Sequence, residues 1–544
     1  MEKYLILNTL NYPILSMLLL VPLIGAVVAM FLRGDTLQKF WALAVTTVTA
    51  VISIPLWNCF DRSTAKYQFV ELRHWFPALN LDYVVGVDGI SVLLVLLTTF
   101  VMPLCILCSW TYIQKRIKEF MIVTLLMETA MLGVFVSLNT VLFYIFWEGM
   151  LVPMYLIIAI WGGDRKDYAS IKFFLYTFAG SIFLLVSIVA LYIHTGTFFI
   201  PELMDHTYGF AFQMWVFLAC ALGFAIKMPM FPFHTWLPAA HVQAPTAGSV
   251  ILASILLKMG GYGFLRFCLP IAPAATFYCM PYLIIMSLVS IIVGGYLALG
   301  QSDIKKLIAY SSVGHMGFVT LGIFLLNDAG IKGAMLQMIN HGVTTGALFI
   351  LIGLIYERTH SRELSVNNKL GMIMPIYVTF LGIFSLSSLA FPGTNSFVGE
   401  FLVLFGAFEK YPLVGAMAIP GAILAAAYML RMLQKMVWDD SDGHGHHHDD
   451  DHGHGDHGDA HGHDSHVLAD CNFREILQLA FLTIFVFWIG LHPTPLLDMM
   501  DTSIAHLIHQ VDAGSVVHDA VQHHGEHHAL LNQAGAWVKS IVSF

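Results

Sequence analysis

The sequence predicts an all-α polytopic membrane protein with about 14 transmembrane helices, counting one span per run of roughly 20 apolar residues. Composition is the first observation: 58% of the 544 residues are hydrophobic and 11% charged, with a mean hydropathy of +0.74, whereas soluble domains are about half apolar and a quarter charged. A water-soluble globule is excluded. Second, apolar runs of bilayer length recur along most of the chain, and third, Lys and Arg are denser on alternate connections, as the positive-inside rule requires. The formal charge of -9, from 26 Lys+Arg and 35 Asp+Glu, is a local property. Nine of the acids lie between Asp439 and Asp464, where no Lys or Arg occurs. The remaining chain is neutral and offers no basic surface for nucleic acid.

The runs fall at 12–32, 38–57, 88–112, 120–137, 139–161, 169–194, 212–241, 246–268, 274–299, 306–326, 330–356, 371–408, 412–437 and 473–493. The first follows a polar, nearly uncharged leader and has no small-residue cleavage site, so it reads as an uncleaved membrane helix rather than a signal peptide. With the N-terminus outside, inner loops hold 16 cations, among them Arg33, Lys115, Arg165, Lys305, Arg358 and Arg431. The outer side holds 8: Lys3, Arg62, Lys66, Arg73, Arg266, Lys332, Lys410 and Lys539. Lys227 and Lys258 remain inside spans.

The seventh and twelfth runs are too long for one helix and are interrupted by proline, at Phe231-Pro232 and Phe391-Pro392. Such interruptions mark broken helices with exposed backbone polar groups in mid-membrane. The two breaks are five spans apart, which predicts two inverted five-helix repeats, spans 4–8 and 9–13, since an odd number of spans reverses orientation. The expected regions are a three-helix N-terminal part (1–119), a first repeat with an inner half-channel (120–268), a second with an outer half-channel (269–437), an inner loop (438–470), and a last span with an outer tail (471–544).

The stretch Asp439 to His466 has ten His, nine Asp and no apolar residues able to seed a core, so it reads as disordered. Within it His444, His446, His447, His448, His452 and His454 form a possible weak site for Zn, Ni or Cu. The tail after Pro495 carries a second cluster, His523, His524, His527 and His528, expected on a short amphipathic helix at the outer surface. Seven scattered cysteines form no disulfide framework or Fe–S ligand set. Cys105 and Cys108, one turn apart in a span, read as small packing residues rather than a redox pair. GxGxxG, Walker and CxxCH motifs are absent, so no nucleotide, haem or cluster is expected in this chain.

A charge at mid-bilayer costs roughly 2.5–3.5 kcal/mol and marks a functional candidate. Glu148 lies in Phe143-Tyr-Ile-Phe-Trp-Glu-Gly-Met, Lys227 opens the first break, Lys258 sits in Ile255-Leu-Leu-Lys-Met-Gly-Gly-Tyr, and Glu400 follows the second break. Two lysines and two glutamates can pair and bring lysine protonation within physiological reach, as a proton relay needs; structural ion pairs are the plainer alternative. Glu128 faces the same cavity or pairs locally. His315 and His341, on consecutive spans among Ser, Asn and Gly, suit hydrated helix surfaces. His234 and His241, either side of Trp236 and Pro238, serve as relay groups or as helix caps.

The segments FWEGMLVPMYLII around Glu148, KMPMFPFHTWLPAAHVQAPTAGSVILASILLKMGGYG from Lys227, IAYSSVGHMGF around His315 and FPGTNSFVGEF around Glu400 closely resemble the antiporter-like, proton-translocating membrane subunits of respiratory complex I. The resemblance covers about residues 85–437. A glutamate rather than a lysine at position 400, together with the absence of a long lateral helix after the last common spans, resembles the M subunit, chain 4 in mitochondria. The resemblance implies that Glu148 and Lys227 form a coupling ion pair, Lys258 is the central relay, His315 and His341 line a hydrated axis, and Glu400 is the terminal relay. It also implies a bacterial inner membrane location with both termini periplasmic, L- and N-type neighbours, and NADH, FMN, Fe–S clusters and quinone in partner subunits. The His/Asp insert and the His-rich tail depart from the pattern.

The function expected is proton translocation driven by NADH-to-quinone electron transfer elsewhere in the complex. Alternatives are a subunit of a multisubunit sodium/proton antiporter, or of a related membrane-bound dehydrogenase or hydrogenase. Metal transport would require His/Asp ligand pairs at helical spacing inside spans, and the spans contain none.

Overall fold

The computed structural model describes residues 3–8, 10, 12–76, 78, 81–438 and 468–522, with side chains to residue 514. The expected disorder of the insert, its six candidate histidines and the tail cluster from His523 lie outside the described residues. Among the described residues, 12 helices are long and apolar enough to cross a membrane, and Ile14–Ala29 and Pro375–Ser388 are shorter apolar helices. These elements coincide one for one with the 14 runs. The proline interruptions explain the two long ones: Phe210–Lys227 stops before Pro229 and resumes as Trp236–Gln243, and Pro375–Ser388 stops before Pro392 and resumes as Asn395–Lys410. A proline amide cannot donate to the preceding turn, so each helix ends there.

The backbone groups freed at the breaks find side-chain partners. Phe231 N–H donates to Ser290 Oγ (2.9 Å), Trp236 Nε1 donates to the Ile226 carbonyl (2.8 Å), and Asn340 Nδ2 donates to the Asn395 carbonyl (2.7 Å). A milder bend divides the Thr140–Trp161 span into Thr140–Gly149 and Leu151–Trp161, because Pro153 leaves the Gly149 carbonyl without its donor. Glu148 sits at this bend. At the centre, Thr246–Ile271 is wholly enclosed by other helices and widens into π-turns at Leu252–Leu256 and Phe264–Cys268, a distortion frequent at functional sites. Lys258 lies between the two. Close approach is possible because Gly260 has no side chain: a Cβ there would sit 2.7 Å from the Phe224 carbonyl oxygen.

The helical expectation omitted a small sheet. β1 (Leu5–Leu7) pairs in parallel with β2 (Tyr67–Phe76), which pairs antiparallel with β3 (Leu81–Val87). The sheet caps one end of the bundle through bridges such as Val85 to Ser137. A further helix, Thr494–Gln522, 29 residues, lies at this same end, with Gly89 N–H donating to Ser503 Oγ (3.0 Å) and Thr502 Oγ1 to the Arg62 carbonyl (2.6 Å); the short helix expected for the cluster from His523 lies outside the described residues. The opposite end carries the Lys/Arg-rich loops.

Candidate functional site

The four intramembrane charges do not pair as two Lys–Glu couples. Lys258, wholly buried, donates to the Ala253 carbonyl, which the adjoining π-turn turns toward it, and lies 2.7 Å from His341 Nδ1. Glu400, on the helix after the second break, places Oε1 2.8 Å from His315 Nδ1 and accepts from Gln337 Nε2 at 3.0 Å. Lys258 and Glu400 thus each meet a histidine. The two imidazoles face each other edge to face, centroids 5.8 Å apart, and join the two couples into one row: Lys258, His341, His315, Glu400.

The far side of His315 is also provided for. Its Nε2 lies 3.3 Å from Ser388 Oγ and 3.5 Å from Tyr428 OH, hydroxyls that can donate or accept as the ring changes protonation. His341 Nε2, by contrast, is buried with no hydrogen-bond partner, as are Gln337 Oε1 and Asn340 Oδ1 on the same helix. Buried polar atoms without protein partners mark where ordered water belongs. Further along the second break, Thr344 Oγ1, Ser387 Oγ and Asn395 Oδ1 form a closed cluster, with Ser387 donating to Asn395 at 2.6 Å.

The expected Glu148–Lys227 ion pair is open. Lys227 Nζ lies 3.3 Å from Met150 Sδ and 4.9 Å from the centroid of the Trp147 ring, and one Glu148 oxygen is buried without a partner. The bend at Pro153 and the break at Pro229 hold the two side chains on neighbouring elements without joining them. Glu128 is wholly buried with both oxygens unpartnered, so local pairing does not account for it. His234, in the first break, stacks on Phe231 at 5.5 Å; His241, on the resumed helix, stacks on Phe349 at 4.5 Å with both ring nitrogens unpartnered. Neither donates as a helix cap. Cys105 and Cys108 are buried free thiols.

One charged pair was missed. Arg266, counted among outer loop cations, is inside the span, its guanidinium 2.7 Å from Asp88 Oδ1, with both side chains 5% exposed. It also donates to Tyr67 OH (2.7 Å) and Tyr262 OH (3.2 Å), which ties β2 to the central helix. The usable signal was Arg266 standing eight residues after Lys258 on the same apolar run.

Comparison with known proteins follows this geometry. Residues 137–425 match the family described as NADH:quinone oxidoreductase/Mrp antiporter, TM, and residues 14–135 match NADH-ubiquinone oxidoreductase chain 4, amino terminus. NADH-quinone oxidoreductase subunit M of Rhodobacter capsulatus is 44% identical over 519 residues, 92% of this chain and 97% of the relative. The chain belongs to the membrane subunits of NADH:quinone oxidoreductase of the M, or chain 4, type. Chain 4 of Arabidopsis thaliana is 40% identical over 497 residues, 91% of this chain and 97% of that one. Among solved structures, respiratory complex I from Thermus thermophilus superposes with TM-score 0.79 at 26% identity, covering 91% of this chain and 99% of the other. As an M-type subunit, the chain is part of an antiporter-like, proton-translocating membrane module of complex I.

Proposed function

We propose that this chain moves protons along the row Lys258, His341, His315, Glu400, loaded through Glu148 and Lys227 from the Lys/Arg-rich side and discharged at the sheet-bearing side. The observation that carries this reading is the pairing of Lys258 with His341 and of Glu400 with His315. Lys258 as an ammonium donates to His341 Nδ1; transfer of that proton leaves a neutral amine and an imidazolium that can release its Nε2 proton toward His315. His315 takes up a proton at Nε2 through the hydroxyl of Ser388 or Tyr428, which gives up its own proton as it accepts the incoming one, and passes its Nδ1 proton to Glu400. Closing the open Glu148–Lys227 pair would shift charge toward Lys258 and start the transfer. His234 and His241, with unpartnered nitrogens, line the entry from the first break.

Moving one charge against 100 mV costs about 2.3 kcal/mol. On this reading the energy comes from NADH oxidation and quinone reduction in partner subunits, transmitted through L- and N-type neighbours. The bilayer is the bacterial inner membrane, with both termini periplasmic and the two five-helix repeats providing inner and outer half-channels. Lys258→Ala and Glu148→Ala should each abolish or greatly reduce NADH-driven pumping while the complex still assembles. Full wild-type pumping by both variants would sink the assignment.

A further inference from the structure

Away from the relay, an apolar groove of about 270 Å3 opens between the Asp35–Asn58, Ser91–Tyr112, Asp328–Thr359 and Phe473–Leu491 helices. It follows the Ser91–Tyr112 helix from Leu93 to Val101, about 12 Å at 1.5 Å per residue, from the sheet-bearing end toward mid-bilayer. Trp57 and Trp488 frame its mouth, rings 5.8 Å apart, and Phe481 and Phe485 pack against Phe100 deeper in. Its lip is open to the bilayer, with Ile54 41% exposed. A transmembrane helix is about 10 Å across and 30 Å long, far too large for this space. One hydrocarbon chain fits it.

The mouth carries a cation. Arg62 lies over the Trp57 ring, 5.9 Å from its centroid, with its side chain 42% exposed and only a loose 3.9 Å contact to Asp498. An exposed pair of that geometry contributes little, which leaves the guanidinium free for the bidentate phosphate contact it is shaped to make. We propose that the groove holds one acyl chain of a phospholipid whose phosphate is bound at Arg62. The inner wall is formed by Ile339 and Val343, which bracket His341 on the same helix. The chain therefore seals the back of the relay helix against water.

The inference rests on the membrane-spanning fold and not on the relay, and its test reads lipid rather than pumping. The intact complex is reconstituted in nanodiscs of dibrominated phosphatidylglycerol and, separately, of the unbrominated lipid, and both are imaged by cryo-electron microscopy. Bromine difference density in the groove, with headgroup density at Arg62, is expected. Arg62→Gln should lose the headgroup density and release the lipid about tenfold more readily in native mass spectrometry; Leu93→Trp should exclude the chain. An empty groove, a bromine-free isoprenoid tail, a neighbouring subunit's side chain in the groove, or undiminished lipid retention by Arg62→Gln overturns the proposal.

Discussion

His341→Gln separates a proton carrier from a polar spacer. His341 Nδ1 accepts from Lys258 at 2.7 Å inside a fully buried site. A glutamine at 341 can keep an acceptor near the ammonium but cannot take up a proton. A positioned acid or base contributes roughly 10² to 10⁴ to a transfer step, about 3–5 kcal/mol at 1.36 kcal/mol per decade. A loss of that size should slow proton transfer along the row, and protons delivered per NADH should fall steeply. The assay follows NADH oxidation and ΔpH-sensitive dye quenching in parallel in inverted membrane vesicles, with assembled complex quantified on native gels. His341→Leu supplies the contrast: it strands Lys258 on the Ala253 carbonyl and adds a destabilisation of about 1–3 kcal/mol. If His341→Gln pumps and turns over like the wild type, the row Lys258, His341, His315, Glu400 carries no protons.

Arg266→Met leaves the Asp88 carboxylate buried and unpaired, and should lower stability by about 3–5 kcal/mol. The double variant Arg266→Met with Asp88→Leu should recover much of that in thermal melts of the complex; a double-variant loss equal to the sum of the two single losses would mean that the pair is not coupled. Burial and the neighbouring His509 hold the His506 imidazole below the ordinary histidine range, so docking of the Thr494–Gln522 helix is fully supported above pH of about 6.5 and weakens as pH falls below it. Hydrogen exchange over residues 494–513, relative to the intrinsic rate at each pH, should rise as pH falls from 7.5 to 5.5, and His506→Gln should flatten that rise; identical profiles would refute it. A Cβ at Gly399 would come 2.6 Å from Gln337 Oε1 and 3.0 Å from Asn340 Nδ2. Gly399→Ala should therefore push Gln337 off Glu400, cost about 1–3 kcal/mol and impair pumping; unchanged melting and pumping would show that the second break tolerates the extra carbon.

The spans were legible because bilayer length and loop charge are one-dimensional signals, and both breaks followed from Phe231-Pro232 and Phe391-Pro392. The candidate residues stood out as charges in apolar runs, but their partners did not. Opposite charge suggested Lys–Glu pairing, whereas packing of the Ile304–Phe324 and Asp328–Thr359 helices puts His315 and His341 between the lysine and the glutamate. The sheet was missed because spans dominated the reading, although Tyr67–Phe76 and Leu81–Val87 are rich in aromatic and β-branched residues. Arg266 was misplaced because a cation near the end of an apolar run looks like a loop charge until its acceptor is known, and Asp88 comes from 178 residues away.

The enclosed Thr246–Ile271 helix also has a consequence for biogenesis. It enters the membrane carrying both Lys258, which costs about 2.5–3.5 kcal/mol in a lone segment at mid-bilayer, and Arg266 nearer its end. Arg266 finds Asp88 and Tyr67 already synthesised, 178 and 199 residues upstream. Lys258 must wait for His341, 83 residues downstream, about 4–17 s at ordinary translation rates of roughly 5–20 residues per second. During that interval the lysine has no side-chain partner of its own. Insertion of this helix is therefore anchored at its Arg266 end by the docked hairpin, and its Lys258 half is completed only when the Asp328–Thr359 helix leaves the translocon.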